Sequence, residues 1–280
     1  MVCLRTDKRA YSQNNQTTIT PMLRITPIPA FDDNYIWLLQ RDGYDGCAVV
    51  DPGDEEPVVD TLKREGLRLE AILVTHKHGD HVGGIGDLKA EWPDAVVYGP
   101  RNEPIKSLEV RLGEGDRVEL AGLRASFEIL DVPGHTEGHI AYYGEGALFC
   151  GDTLFAGGCG RVFSGTHEQL SHSLQKLGAL PAETLAYCAH EYTMANLGFA
   201  AWVEPGNEAL IKRSADDADK RQRGEATVPS TLAMEMATNP FMRTDADTVV
   251  EAAGKWAGKT LEGRDAVFHA VRDWKDRDYD

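Results

Sequence analysis

The stretch LVTHKHGDHVGG, residues 73–84, places three histidines and an aspartate within six residues, directly behind an aliphatic run. The aliphatic run reads as a buried strand. Its C-terminal end is where loops from several strands can converge on one cleft. In extended backbone His76 and His78, two residues apart, point the same way and can reach one ion. Asp80 and His81 follow the turn at Gly79 and project differently. We infer that they serve a second ion close to the first, which a single tetrahedral site would not require. Lys77 points to the opposite side and has no metal role. Taken alone, the stretch also fits a solvated polar loop, so the decision rests on partners elsewhere in the chain.

Three further pieces supply such partners. VPGHTEGH sets His135 in a glycine-bracketed turn behind a strand, FCGDTLF sets Asp152 behind another, and YCAHEYT sets His190 behind a third. Five of the nine histidines and two aspartates thus stand at strand ends. These donors suit two ions that share a bridge. His139 is read as packing against or orienting His135. His167, His172 and His269 fall on helices and are read as ordinary surface or structural residues.

Around these motifs the chain is organised in two parts. Up to about residue 155, short β-rich runs alternate with turn residues: YIWLL (35–39), CAVVDPG (47–53), AILVT (71–75), AVVYGP (95–100), DRVEL (116–120), ASFEILDVPG (125–134), HIAYYG (139–144) and ALFCGDT (147–153). EPVVDTLKREG (56–66) has helical spacing and a closing glycine, THEQLSHSLQKLGALP (166–181) reads as a helix, and TLAYCAH (184–190) as a last strand. Strands in hairpin-like succession with interspersed helices predict mixed α/β sheets covered by helices. From about residue 195 the sequence turns Ala-rich and charge-rich with helical periodicity. The expected division is a polar extension over 1–21, a catalytic domain over 22–194 and a small helical domain over 195–280.

The balance of 29 Lys plus Arg against 45 Asp plus Glu gives a net charge of −16, which repels nucleic acid and anionic membranes. An anionic substrate then needs a local basic pocket. The five cysteines contain no C-x-x-C pair and read as buried thiols of a reducing compartment. No apolar run approaches the roughly eighteen residues of a membrane span. The N-terminus also lacks the apolar stretch of a signal peptide, so the expected address is the cytoplasm.

T-H-x-H-x-D-H at Thr75–His81, G-H-T-x-G-H at 134–139, G-D-T at 151–153 and H-E-Y at 190–192 together resemble the metallo-β-lactamase superfamily. Within it the chain is similar to glyoxalase II, the hydroxyacylglutathione hydrolases, from roughly residue 22 to the end. DNYIW (33–37), FAGGCGRVFSGT (155–166) and VPSTLAMEMATNPFMR (228–243) belong to that resemblance. It implies an αββα sandwich followed by a small all-helical C-terminal domain. It also implies a first metal on His76, His78 and His135, a second on Asp80, His81 and His190, and Asp152 as the bridging carboxylate. Arg272 and Lys275 would bind the glycine carboxylate of glutathione, with Arg161 and Tyr192 contacting the peptide portion. Phe163 stands where some relatives have Tyr, so one hydrogen bond is lost while the ring still packs. Ala189 replaces a common Gly without chemical consequence.

The implied reaction is hydrolysis of S-D-lactoylglutathione to D-lactate and glutathione, the second step of methylglyoxal detoxification. The nucleophile is a hydroxide bridging two divalent ions, with Asp80 orienting it. Zinc is the first expectation for the ions, with iron or manganese as alternatives, and the family leans to a monomer. A thioester suits such a site because a thiolate leaves without prior protonation. Two other readings compete. One is a persulfide dioxygenase with a single iron on two histidines and an aspartate, and the other an idle binding module that keeps metal for stability. Oxygen consumption would mark the first, and a background thioester rate with metal loaded the second.

Overall fold

The computed structural model describes residues 22–279. The polar extension over 1–21 and its Cys3 lie outside the described residues. The chain begins with β1 (Leu23–Ala30), β2 (Asn34–Arg41) and β3 (Gly46–Val50), then α1 (Glu56–Glu65), β4 (Arg68–Leu73), α2 (Gly79–Val82), α3 (Ile85–Glu91), β5 (Val96–Pro100) and β6 (Val110–Leu112). These strands form one sheet in the order β1-β2-β3-β4-β5-β6. Its first three strands pair antiparallel and the rest parallel.

There the structure departs from the predicted hairpin-like succession. The α1 crossover and the α2–α3 segment return the chain to the same edge, and parallel pairing needs such crossovers. In α1, Pro57 occupies the first turn and Gly66 closes the helix in the left-handed region at φ 67°, as the closing glycine predicts.

The second sheet starts with β7 (Arg117–Leu120), β8 (Ala125–Asp131), β9 (Ile140–Gly144) and β10 (Ala147–Gly151). A small hairpin of β11 (Leu154–Phe155) and β12 (Gly158–Cys159) follows, then α4 (His167–Gly178) and β13 (Leu185–Cys188). Thr166 and Gln169 cap α4 reciprocally, each side chain bonding the other residue's backbone N–H. Helices α5 (Thr193–Val203) and α6 (Glu208–Gln222), strand β14 (Ser230–Thr231), and helices α7 (Leu232–Thr238), α8 (Asp247–Ala257) and α9 (Arg264–Trp274) complete the chain. A π-type turn over Lys275–Tyr279 ends it. The sheet runs β14-β13-β10-β9-β8-β7.

Strand β2 shows how the layers stack, because every one of its residues is buried. Trp37 and Leu39 join the core with Phe127, Tyr142 and Phe149 of the second sheet. Their alternates Ile36 and Leu38 join a separate core with Val58 and Leu62 of α1 and Ile85 and Leu88 of α3. A period of two with both faces apolar therefore places this sheet between the second sheet and a helical layer. Leu170, Leu174 and Leu177 of α4 pack into the cluster of the second sheet, as do Phe199 of α5, Val249 of α8 and Phe268 of α9.

The C-terminal region is helical apart from Ser230–Thr231, which extends the second sheet antiparallel to β13. Two residues at a sheet edge carry no readable period, so this strand was not legible in the sequence. Cys47, Cys150, Cys159 and Cys188 are buried free thiols. Among the described residues no helix is long and apolar enough to cross a membrane.

Candidate metal centre

The histidine-rich segment lies beyond the end of β4, which stops at Leu73. His76 is therefore in a loop, not on the strand, and His78 caps α2 with extended backbone (φ −64°, ψ 147°). Asp80 and His81 sit on that short helix, with the His81 ring centroid 4.1 Å from that of His76. Asp51, just past β3, holds the loop. It accepts from the Thr75 N–H and the Thr75 hydroxyl, each at 2.7 Å, and lies 3.1 Å from His81 Nδ1. Gly53 has to be glycine, because a Cβ there would stand 1.9 Å from the Asp80 carbonyl oxygen. Gly160 is similarly confined by the Asp152 carbonyl and the His135 ring.

Two donor groups meet at Asp152. Ligating atoms of His76, His78, His135 and Asp152 all lie within 4.8 Å of one another, and so do those of Asp80, His81 and His190. His78 Nδ1 faces both His76 Nε2 and His135 Nε2 at 3.0 Å. Asp152 Oδ2 is 3.5 Å from His135 Nε2, whereas its Oδ1 is 3.4 Å from both His81 Nε2 and His190 Nε2. Asp80 Oδ2 stands 3.4 Å from the same two nitrogens. One oxygen of Asp152 thus faces each group, an arrangement suited to a bridging carboxylate. All seven predicted ligands converge.

The donor set fits divalent cations. His81 Nε2 and Asp152 Oδ1 are buried without a hydrogen-bond partner. A buried polar atom left so costs about 1–3 kcal/mol, and a cation between them removes that cost. The imidazoles are aimed from behind. His190 Nδ1 donates to Asp33 at 2.7 Å and His135 Nδ1 to the Arg161 carbonyl at 2.7 Å, which leaves each Nε2 facing the centre. Asn34 donates to Asp80 Oδ2 at 3.1 Å.

His139 lies closer to His76 than to His135, with ring centroids 4.6 Å and 6.1 Å away. It stacks on His76, donates to the Ile140 carbonyl and accepts the Asp152 N–H. Its task is to fix His76 and the backbone of Asp152, a role wider than the predicted packing on His135.

Electrostatics separate the two groups. Burial pushes His76, His78 and His135 below the ordinary histidine value, so they are proton-free donors. Burial works against the charged form of His190 too, but hydrogen bonds to Asp152 and Asp80 push it up to about 10. His81 is raised as well, because Asp152 and Asp51 outweigh its burial. Burial tends to raise Asp80 and Asp152, yet their histidine neighbours hold both below the usual carboxylate range. Asp80 and Asp152 thus favour positive charge in the second group, supplied by protons on His81 and His190 or by a cation that displaces them.

A cavity of about 450 Å³ opens over His78, Asp80, His135, Asp152 and His190. All five predicted substrate residues, Arg161, Phe163, Tyr192, Arg272 and Lys275, line it. Arg272 is 1% exposed at the end of α9. It donates to Asp276 at 2.8 Å and to the Cys159 carbonyl at 3.2 Å, and lies over the Phe241 ring. Lys275, also buried, opens the π-type turn. Arg161 is half exposed, with Nε 3.5 Å from Asp276. Phe163 is 66% exposed and sets its edge against His78 and His135. Tyr192 stacks on His190, 4.7 Å away and 8° from parallel.

Sequence reasoning missed Asp33, Asn34, Asp51 and Asp276. Asp51 follows an apolar run as Asp152 does, a signal that was present. Asp276 stands four residues after Arg272, the spacing of a helical ion pair.

A family model described as "Metallo-beta-lactamase superfamily" matches residues 30–190, and one described as "Hydroxyacylglutathione hydrolase C-terminus" matches 191–278. A hydroxyacylglutathione hydrolase of Alkalilimnicola ehrlichii is 54% identical over 91% of this chain and 100% of its own. One from Pseudomonas fluorescens is 51% identical over the same shares. Among solved structures, ETHE1 from Myxococcus xanthus superposes with a TM-score of 0.63 at 24% identity, covering 90% of each chain, which is a likeness of fold.

Proposed function

The chain belongs to the hydroxyacylglutathione hydrolase family of the metallo-β-lactamase superfamily, and from that premise we propose that it cleaves S-D-lactoylglutathione and other 2-hydroxyacyl glutathiones to the hydroxy acid and glutathione. The enzyme is a thioester hydrolase. The observation that carries the substrate reading is the single cavity in which the donor groups and the five predicted binding residues face one another. His76, His78 and His135 would hold one divalent cation and Asp80, His81 and His190 the other, with Asp152 available to both. Zinc suits this imidazole and carboxylate set, as do iron and manganese.

When bound, such a cation pair lowers the pKa of a shared water from about 15.7 to about 7 and polarises the attacked carbonyl. Asp80, fixed by Asn34, orients the water that attacks. Asp152 sets the spacing of the two donor groups. The leaving thiolate, of pKa about 8.5 as a free thiol, departs without an acid. Arg272 and Lys275 take the glycine carboxylate of glutathione, while Arg161 and Tyr192 hold its peptide portion. Phe163 packs against the conjugate.

The reading places the product in methylglyoxal detoxification, the protein in the cytoplasm as a monomer, and the boundary between its catalytic and helical domains at 194/195. Elemental analysis combined with a thioester assay on lactoylglutathione tests it. Two cations per chain and metal-dependent hydrolysis are expected, and a background rate with both loaded would overturn it. A single iron with oxygen uptake on glutathione persulfide would instead mark a dioxygenase, which has no use for the Asp80, His81 and His190 group.

A further inference from the structure

Away from the cleft the fold joins side chains that the sequence left as surface residues or did not single out. His167 opens α4 directly behind its Thr166 cap, and His269 and Asp273 stand one turn apart on α9. One ligating atom of each lies within 4.8 Å of the other two. The imidazole centroids are 4.2 Å apart with planes tilted by 52°, and His269 Nε2 is 3.6 Å from Asp273 Oδ1.

That last separation is too long for a hydrogen bond. It is the separation of two donors around an ion, since tetrahedral ligands about 2.0–2.2 Å from zinc stand roughly 3.3–3.6 Å from one another. Asp273 Oδ2 is turned to Arg277 at 3.4 Å, which leaves Oδ1 for this cluster. Burial and the neighbouring His269 both lower the pKa of His167, so its ring is a proton-free donor. His269 is half exposed, so water can complete the coordination.

We propose that His167, His269 and Asp273 form a separate binding site for a borderline divalent cation such as Zn²⁺, Cu²⁺ or Ni²⁺. Two imidazoles and one carboxylate select this class over the hard cations, which prefer oxygen alone. The ion joins α4 to α9. Because Arg272 immediately precedes Asp273, occupancy also fixes the helix end that forms the cleft mouth. The count rests on two cations in the cleft, as the proposed function has them, and the equivalent lost with His167 or His269 is read apart from turnover.

Zn²⁺ alone is titrated calorimetrically into the dimetal holoenzyme, as wild type, His269→Ala and His167→Ala. The wild type should take a third equivalent, with a thermal midpoint that rises as zinc is added. Both variants should lose that equivalent and the zinc-dependent rise while keeping wild-type hydrolysis without added zinc. A wild type that takes no third equivalent, or a third equivalent that survives in either variant, overturns the proposal.

Discussion

At the metal centre four separate loops deliver seven donors, five of them buried, and Asp33, Asn34, Asp51 and His139 hold them from behind. At the mouth of the cleft Arg161, Phe163 and Tyr192 reach toward solvent, and the buried cations Arg272 and Lys275 come from the last turns of the chain. His76, His81, His135 and His190 each have the second ring nitrogen committed to a partner, which fixes tautomer and orientation. At the mouth Asp276 already engages Arg272 and lies near Arg161. On the proposed reading an incoming carboxylate would share these cations with Asp276. The difference teaches that chemistry and recognition are separable here. Damage to the centre should appear in the rate, and damage to the mouth in the Michaelis constant.

The largest expected break of that division is Asp152→Ala. It removes the oxygen that Asp152 offers to each donor group, so hydrolysis should fall to background and bound metal below two equivalents, read by assay and elemental analysis. Asp33→Ala comes next. It frees the His190 ring without touching a ligand, and such orienting partners contribute about 10–100-fold in metal affinity or activity. Metal titration should show the loss in the Asp80, His81 and His190 group while the other group keeps its affinity.

Arg272→Ala tests the mouth. A charge-assisted hydrogen bond contributes about 1.5–3 kcal/mol, so the Michaelis constant should rise about 10–100-fold with a modest loss of kcat. An unchanged constant would refute the glutathione assignment. Its burial predicts a lower thermal midpoint as well, and Arg161→Ala, at an exposed position, supplies the comparison free of that effect. Phe163→Tyr should give the smallest change. A regained neutral hydrogen bond of about 1 kcal/mol lowers the Michaelis constant about fivefold, and steady-state kinetics on lactoylglutathione would detect it.

The ligands were legible because each sits just past an aliphatic run, a one-dimensional mark that survives without coordinates. The supporting residues were not. Asp33 reaches His190 across 157 positions, and nothing local distinguishes it from Asp32. His139 shared the motif of His135 yet works on His76, because the turn between them carries its ring to the other side of the cluster. The parallel half of the first sheet was likewise hidden, since alternation states burial but not the direction of the neighbouring strand.

The sequence by itself determined which imidazoles and carboxylates stand behind strands, that helices follow sheets, and that an anionic substrate needs cations drawn from few positions. Only the tertiary structure decided that Asp152 offers one oxygen to each donor group, that Asp276 shares Arg272, and that His167 meets His269 across two helices. Residue type and spacing fix what a group can do. Distances between loops remote in the chain arise only when the two sheets and their helices pack.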